Sequence, residues 1–272
     1  MRTQEKRATR FRSIQTSLLF VIVPAVIISM AVLSLMGYLS SKAIIQTSAG
    51  TEMSQCLSVA MGSIEMSLSN NRMVAETMAR GVEAIQRQAV KGDQTASDWD
   101  AAAYQEILTS FVGSNPETFG GGIWFEPYQY RPEQRYFSPY CMRQNGAVTY
   151  VDNYSLGEGV YYTDQDWYTN AANTTQKSVW SAPYYDEFAQ ISMVTSSAPI
   201  YDETGRLLGV ATADIDLTQM QQMVLSLDVV ANGRAFLIDD TGVYIADEDS
   251  EKLLSANILE DDNPSFAALG RQ

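Results

Sequence analysis

An uninterrupted apolar run near the N-terminus limits what this chain of 272 residues can fold into. Residues 13–41 carry no charge, and the 22 residues 18–39 read LLFVIVPAVIISMAVLSLMGYL. A helix needs roughly 20 apolar residues to cross the hydrocarbon core of a bilayer, and proline is tolerated inside such helices. A cleaved signal peptide would have an apolar stretch of only about 7–15 residues. The sequence therefore predicts an uncleaved transmembrane helix over residues 17–40.

The charge is distributed unevenly on the two sides of this run. Residues 1–16 carry a net charge of +4, whereas the chain after residue 42 carries −19. Because basic flanks stay on the cytoplasmic side, we expect residues 1–16 to be a cytoplasmic tail and the rest to lie outside the cell (inner) membrane. The total net charge of −14 excludes a nucleic-acid-binding function, since no basic face could neutralise phosphates.

The amino-acid composition excludes several kinds of catalytic site. The chain has no histidine, which excludes Ser-His-Asp and Cys-His catalysis and the usual zinc sites. Its two cysteines, Cys56 and Cys141, predict unpaired thiols, with an intermolecular Cys56 bond as the alternative. The excess of carboxylates permits a calcium or magnesium site, but no HExxH, GxSxG or P-loop sequence occurs. We therefore predict no catalytic residue, no metal and no cofactor.

Hydrophobic periodicity after the apolar run predicts an α+β fold. Residues 43–91 contain no proline and repeat apolar residues at three- and four-residue steps, which predicts a long amphipathic helix. Strand patterns follow, including residues 191–201 and 206–215 around the turn DETG (202–205). A second hairpin surrounds the similar turn DDTG (239–242), and eight residues remain after Pro264. We predict a membrane-distal lobe with the long helix over residues 41–228, and the start of a membrane-proximal lobe over 229–272 with an incomplete sheet.

Five stretches carry a resemblance to a known family. They are GGGIWFEP (120–127), QDWYTNA (165–171), WSAPYYDE (180–187), VTSSAPIYDETGRLLGVATADID (194–216) and GRAFLIDDTG (233–242). Their order and spacing resemble the double Cache sensor domain of bacterial chemoreceptors, sensor histidine kinases and nucleotide cyclases. The resemblance implies two PAS-like antiparallel sheets on a long helix and a homodimer formed through the long helices. The family's complete proteins add a second transmembrane helix and a signalling module, so the chain is expected to be a partial sensor.

The resemblance also implies a ligand site in the distal lobe. Members that sense amino acids or amines enclose the ligand with a Trp-Tyr pair and bind its ammonium group with a tyrosine and two aspartates, which correspond here to Trp167, Tyr168, Tyr184, Asp186 and Asp214. Amino-acid sensors have an arginine two residues before the tryptophan, where this chain has Gln165. Glutamine cannot form the charged bidentate contact with a ligand carboxylate. A cationic ligand without a carboxylate therefore fits these residues better.

Each of these residues also has a purely structural explanation. Trp167 and Tyr168 could be core residues at the start of a helix, and Asp186 could be a solvated loop residue. Asp214 could be a hydrogen-bonded structural carboxylate, but it is the most indicative of the set because aspartate is a poor strand former.

The sequence as a whole predicts a sensor that performs no chemistry on its ligand. We expect an extracytoplasmic domain that binds a cationic amine or amino-acid-like small molecule and starts transmembrane signalling or chemotaxis. Two alternatives remain open, a membrane-anchored ectoenzyme and a non-sensing dimerisation domain.

Overall fold

The computed structural model describes residues 14–91, 101–152, 154, 159–227, 234–261 and 263–270. The predicted tail up to residue 13 and the predicted lobe boundary at residues 228 and 229 lie outside these ranges. Helix α1 spans Ile14–Lys91 and contains a stretch that is long and apolar enough to cross a membrane. The chain divides into two compact units, residues 1–55 and 56–272. The globular part described below belongs to the second unit.

An antiparallel sheet of seven strands forms the centre of the second unit. The strands are β1 (Gly120–Phe125), β2 (Tyr140–Gln144), β3 (Ala147–Val151), β4 (Val179–Trp180), β5 (Tyr184–Asp186), β6 (Ile191–Tyr201) and β7 (Leu207–Asp216). Their order is β3-β2-β1-β7-β6-β4, and β5 also pairs with β6. The long central strands β6 and β7 place residues from distant parts of the sequence side by side.

Strand β2 begins only at Tyr140. The segment before it still runs beside β1, where the carbonyls of Phe137 and Pro139 accept hydrogen bonds from the backbone of β1. Pro139 has no N–H to donate, so it interrupts a regular ladder at this point.

Helices α1 and α2 (Ala101–Ser114) cover one face of the sheet. The two-residue period of a strand sends Ile123 and Phe125 toward these helices and Trp124 toward the opposite face. The helices contribute Val74, Ala75, Met78, Ala79 and Val82 from α1, and Tyr104, Leu108 and Val112 from α2. Burying each large side chain of this kind stabilises the fold by about 1.5–3 kcal/mol, so this helical layer anchors α1 to the sheet.

The two similar hairpin turns have the same geometry. In each, the first aspartate (Asp202 or Asp239) accepts hydrogen bonds from backbone N–H groups two and four residues ahead. The glycine of each turn has a positive φ, 83° at Gly205 and 89° at Gly242, a conformation that residues with a Cβ rarely adopt. The prediction that these aspartates form turns is confirmed.

The C-terminal segment forms a second, smaller sheet. Within residues 234–270 the structure describes β8 (Leu237–Ile238) and β9 (Tyr244–Ala246), which pair antiparallel, and helix α5 (Pro264–Leu269). A two-stranded sheet is marginally stable by itself. It gains support from α4 (Leu217–Leu225), which follows β7 directly and contacts β9.

Candidate functional site

Two glycines of β1 leave room for aromatic side chains on the sheet face opposite the helices. A Cβ atom at Gly120 would lie 2.1 Å from the hydroxyl oxygen of Tyr140, and one at Gly122 would lie 2.7 Å from the indole ring of Trp124. Real Cβ atoms do not approach other atoms so closely, so any larger residue at either position would displace the aromatic ring. The indole N–H of Trp124 donates a hydrogen bond of 2.8 Å to the hydroxyl of Thr212. The glycine-rich strand thereby fixes both aromatic rings on this face.

Asp214 lies on β7 on the same face, opposite Gly120 on β1 and Thr195 on β6. Its two carboxylate oxygens accept hydrogen bonds from the hydroxyls of Tyr140 (2.7 Å) and Thr195 (2.8 Å), and the residue is only 3% exposed. Burial raises the pKa of Asp214 from 3.8 to about 7, although the two hydrogen bonds oppose this change, and the nearby charge of Asp186 raises it further. The carboxyl group therefore changes its charge near neutral pH.

Asp186 is the second buried carboxylate and is 5% exposed. It accepts hydrogen bonds from the hydroxyl of Tyr154 and from the backbone N–H of Ala189 at 2.6 Å. Its placement at the buried end of β5 rules out the alternative that it is a solvated loop residue.

Hydrogen bonds between hydroxyl groups connect Tyr184 through Thr195 to Asp214. The Tyr184 and Thr195 hydroxyl oxygens are 2.8 Å apart. Because the single hydroxyl proton of Thr195 is donated to Asp214, Tyr184 must be the donor to Thr195. Burial raises the pKa values of Tyr140, Tyr154 and Tyr184, so these phenols remain protonated donors.

Helix α3 (Asp166–Ala172) covers this face of the sheet. Trp167 and Ala171 lie one turn apart on its buried side, and the rings of Trp167 and Trp124 have centroids 4.7 Å apart. Tyr154 meets Trp124 edge to face at 5.3 Å. The result is an aromatic layer between α3 and the sheet.

These side chains enclose a cavity of about 10 Å³, lined by Trp124, Tyr140, Tyr154, Trp167, Tyr184, Asp186, Met193, Thr195, Thr212 and Asp214. A space of this volume holds about one water molecule, so a larger ligand requires a wall to move. Within the part of the chain that the structure describes, the lining has two carboxylates and no lysine or arginine. Carboxylates and aromatic faces in a site shielded from water favour a cation through charge-assisted hydrogen bonds and cation–π contacts.

The six residues predicted for a ligand site divide into two groups. Four of them, Trp167, Tyr184, Asp186 and Asp214, line the cavity. Tyr168 is buried but donates its hydroxyl to Glu126 at 2.6 Å, and Gln165 is half-buried at the N-cap position of α3. Neither Tyr168 nor Gln165 is part of the cavity lining. A ligand-binding role for any of the six stays a prediction.

Six residues of the cavity lining were not predicted from the sequence: Trp124, Tyr140, Tyr154, Met193, Thr195 and Thr212. Trp124 had a detectable signal, because a tryptophan that follows three glycines in a strand needs the room that glycine leaves. Tyr140 and Tyr154 follow irregular segments, and nothing in their local sequence marks them.

Within the described residues, no group of three or more histidine, cysteine, aspartate or glutamate side chains is arranged to hold a metal ion. Cys56 and Cys141 are unpaired thiols in this chain, as predicted. The possibility of an intermolecular Cys56 bond stays untested.

The sequence of residues 104–222 matches the family described as methyl-accepting chemotaxis protein-like, first PDC sensor domain. This range includes all seven strands of the main sheet, α3 and the cavity. Residues 104–222 therefore match a PDC sensor domain of the Cache type. The resemblance to Cache sensor domains carried by the sequence stretches is confirmed.

Two curated relatives of the PDC domain are chemotaxis proteins. Methyl-accepting chemotaxis protein McpC of Bacillus subtilis is 38% identical over 84 residues, which are 31% of this chain and 13% of McpC. Methyl-accepting chemotaxis protein McpA of Pseudomonas putida is 24% identical over 208 residues, which are 74% of this chain and 31% of McpA. The chain thus spans less than a third of the length of either relative.

Solved structures share the fold of the PDC domain. The extracellular domain of mmHK1S-Z3, described as a histidine kinase, has a TM-score of 0.62 at 20% identity, covering 77% of this chain and 74% of that one. The ligand-binding domain of the Campylobacter jejuni chemoreceptor Tlp3 in complex with L-valine has a TM-score of 0.55 at 17% identity, covering 80% and 77%. At these identities the likeness establishes the fold.

Proposed function

We propose that this chain is the sensory part of a membrane-anchored chemoreceptor that binds a small organic cation in the cavity beneath α3. One observation carries the proposal: Asp186 and Asp214 are both buried in an aromatic cavity whose lining contains no cationic side chain. Two uncompensated carboxylates in a desolvated site are costly, and a bound cation would offset this cost. The cavity residues bind the ligand and perform no chemistry on it.

A ligand without a carboxylate fits the lining better than an α-amino acid does. The Tlp3 domain was solved with L-valine, which carries an ammonium and a carboxylate group. Among the residues that the structure describes, no lysine or arginine lines the cavity to pair with a ligand carboxylate, and Gln165 is not part of the lining. An ammonium, guanidinium or quaternary ammonium compound would match the charge of the lining.

The membrane anchor and its orientation are part of the same proposal. The apolar stretch of α1 would cross the cell membrane, with the basic residues 1–16 in the cytoplasm and the acidic sensor domain outside. A receptor of this orientation samples compounds outside the cytoplasm.

A route for the signal runs from the cavity to α1. Two residues after Asp214, the side chain of Asp216 caps α4 by accepting from the N–H of Thr218. Leu217 and Met220 of α4 then belong to a cluster that also contains Ile64 and Leu68 of α1, Ile245 of β9, and Leu254 in the turn that follows. We propose that a ligand on Asp214 favours one packing of this cluster over another, which is a population shift.

Calorimetric titration of the full chain in lipid nanodiscs with ethylammonium, guanidinium and tetramethylammonium tests the function. We expect at least one cation to bind about tenfold more weakly at pH 6 than at pH 8, because it binds the ionised form of Asp214, whose pKa is about 7.

The stability of the ligand-free protein should show the opposite dependence on pH. The folded state holds the Asp214 proton more tightly than the unfolded chain, so the free energy of unfolding should fall as pH rises from about 4 to 7.

Other outcomes of the titration separate the competing functions. L-Valine is included as a probe that carries a carboxylate, and tighter binding of L-valine than of the three cations would contradict a carboxylate-free ligand. Chemical consumption of an amine would indicate an ectoenzyme. Absence of binding to all four compounds, with an unchanged melting temperature, would contradict the sensor proposal and favour a dimerisation domain.

A homodimer through α1 is supported by a second apolar stripe on this helix. Val59, Met66 and Met73 are spaced seven residues apart and are each more than half exposed, which is the spacing of a helix–helix seam. We expect the full chain in detergent to sediment as a dimer and Met66→Glu as a monomer, since a charge in the seam opposes its burial. Met61→Glu makes the same change at an exposed position off the stripe and should remain dimeric. A monomeric parent would contradict the proposal.

A further inference from the structure

Tyr154 differs from the other aromatic walls of the cavity in how it is held. Trp124, Tyr140 and Tyr184 lie on strands and Trp167 lies on α3, so their positions are fixed by the sheet and by helix packing. Tyr154 lies outside the helices and strands. Its side chain nevertheless reaches into the cavity and is 7% exposed.

The hydroxyl of Tyr154 occupies a position on Asp186 that a ligand could use. It donates a hydrogen bond to Oδ1 of Asp186, which is the kind of contact that an ammonium N–H would make with this carboxylate. The cavity that remains has a volume of about 10 Å³, enough for about one water molecule. Ethylammonium has three heavy atoms and therefore does not fit while the Tyr154 ring stays in place.

We infer that Tyr154 is an internal competitor for the cation: its ring fills the space and its hydroxyl covers the carboxylate of Asp186 until a ligand displaces it. This inference rests on the proposed function. It assigns Tyr154 a specificity-determining role, because a cation binds only if its contacts with the two carboxylates outweigh those that the tyrosine side chain gives up.

The backbone of Tyr154 is anchored, so the displacement is a rotation of the side chain. Its N–H donates to the carbonyl of Ser138 at 3.0 Å, and its carbonyl accepts from the Ser138 hydroxyl at 3.2 Å. On its outer side the ring contacts Phe188, at a centroid distance of 4.3 Å. Phe188 is 38% exposed and lies in the turn between β5 and β6, so the Tyr154 ring contacts a side chain that borders solvent.

Removing the hydroxyl should strengthen cation binding. Tyr154→Phe keeps the ring and deletes the hydrogen bond to Asp186, which makes the closed arrangement less favourable and raises the fraction of the binding-competent arrangement. We expect ethylammonium to bind the full-chain variant in nanodiscs about tenfold more tightly, equivalent to ~1.4 kcal/mol. Tyr154→Ala removes the ring as well and should improve binding of the bulkier tetramethylammonium more than that of ethylammonium.

The matched control is Tyr150→Phe. Tyr150 donates its hydroxyl to Asp152 at 3.0 Å and is not a residue of the cavity lining, so the same chemical change there should leave the affinity for ethylammonium unchanged. Fluorine NMR of the chain labelled with 3-fluorotyrosine gives a second readout. The Tyr154 resonance, identified by its loss in Tyr154→Phe, should move toward the position of exposed tyrosines when ethylammonium saturates the protein.

The results distinguish the proposed function from the competitor role of Tyr154. If ethylammonium binds the parent but binds Tyr154→Phe equally or more weakly, the proposed function stands and the competitor role is wrong. A Tyr154 resonance that stays unchanged at saturation leads to the same conclusion. If ethylammonium, guanidinium and tetramethylammonium bind neither the parent nor the variants, both the proposed function and the competitor role are overturned.

Discussion

Asp214→Asn is expected to reduce the affinity of the full chain for ethylammonium by about 30-fold to several thousand-fold. Deleting one partner of a desolvated ion pair costs roughly 2–5 kcal/mol, and Asp214 is the more deeply buried of the two cavity carboxylates. The variant should also lose the pH dependence of binding between pH 6 and 8, because that dependence comes from the pKa of Asp214 near 7. Calorimetric titration at both pH values measures the two effects together.

The variant should fold, which makes the binding result interpretable. With a pKa of about 7, Asp214 is neutral in a large part of the molecules at neutral pH, and asparagine is close in shape to the neutral acid. Its amide oxygen can still accept the hydroxyl proton of Tyr140. Glu187→Gln is the matched control, because Glu187 is exposed beside Asp186 and is not in the cavity lining. If the parent and Asp214→Asn bind ethylammonium equally tightly, Asp214 has a purely structural role.

Gly209→Ala is expected to lower the free energy of unfolding of the globular unit by about 3 kcal/mol or more, as overpacking against rigid groups does. Gly209 lies on the central strand β7 and pairs with Phe125 on β1. A Cβ atom there would lie 2.2 Å from the carbonyl oxygen of Trp124 and 2.8 Å from the Cα of Phe125. Both contacts are with backbone atoms, so relief requires β1 and β7 to separate. Thermal unfolding should show a melting temperature about 6–12 °C below that of the parent.

Gly113→Ala is the control for this substitution. Gly113 lies in helix α2 with no atom within 4 Å of the added Cβ, so alanine there should stabilise the protein by about 0.5–1 kcal/mol. A melting temperature of Gly209→Ala equal to that of the parent would show that β1 and β7 are not packed as closely as described.

Local chemistry along the chain predicted the elements that depend on neighbouring residues. The strand 191–201 followed from its β-branched and apolar residues, and its bounds agree with β6. The two turns followed from an aspartate and a glycine three positions apart, because the aspartate caps its own turn and the glycine takes the positive φ. The apolar run of α1 could be predicted by counting consecutive uncharged residues.

The composition of the cavity depended on contacts between distant segments. Tyr140 reaches Asp214 across 74 positions of sequence and Tyr154 reaches Asp186 across 32. No local pattern records either contact. The contact of Tyr140 arises from the strand order β2-β1-β7 and from the room left by Gly120. Neighbouring aromatic residues on α3 likewise diverge: Trp167 faces the cavity and Tyr168 faces Glu126.

The sequence by itself determined that this protein has a helix long and apolar enough to cross a membrane, an acidic α+β domain that resembles the Cache type, and an aspartate inside a strand. Each of these follows from residues that act on their immediate surroundings or that occur at fixed spacing. Only the tertiary structure decided that Asp214 and Asp186 share one aromatic cavity and that Tyr154 covers Asp186. These facts depend on which strands pair and how α3 is rotated on the sheet, and long-range packing sets both.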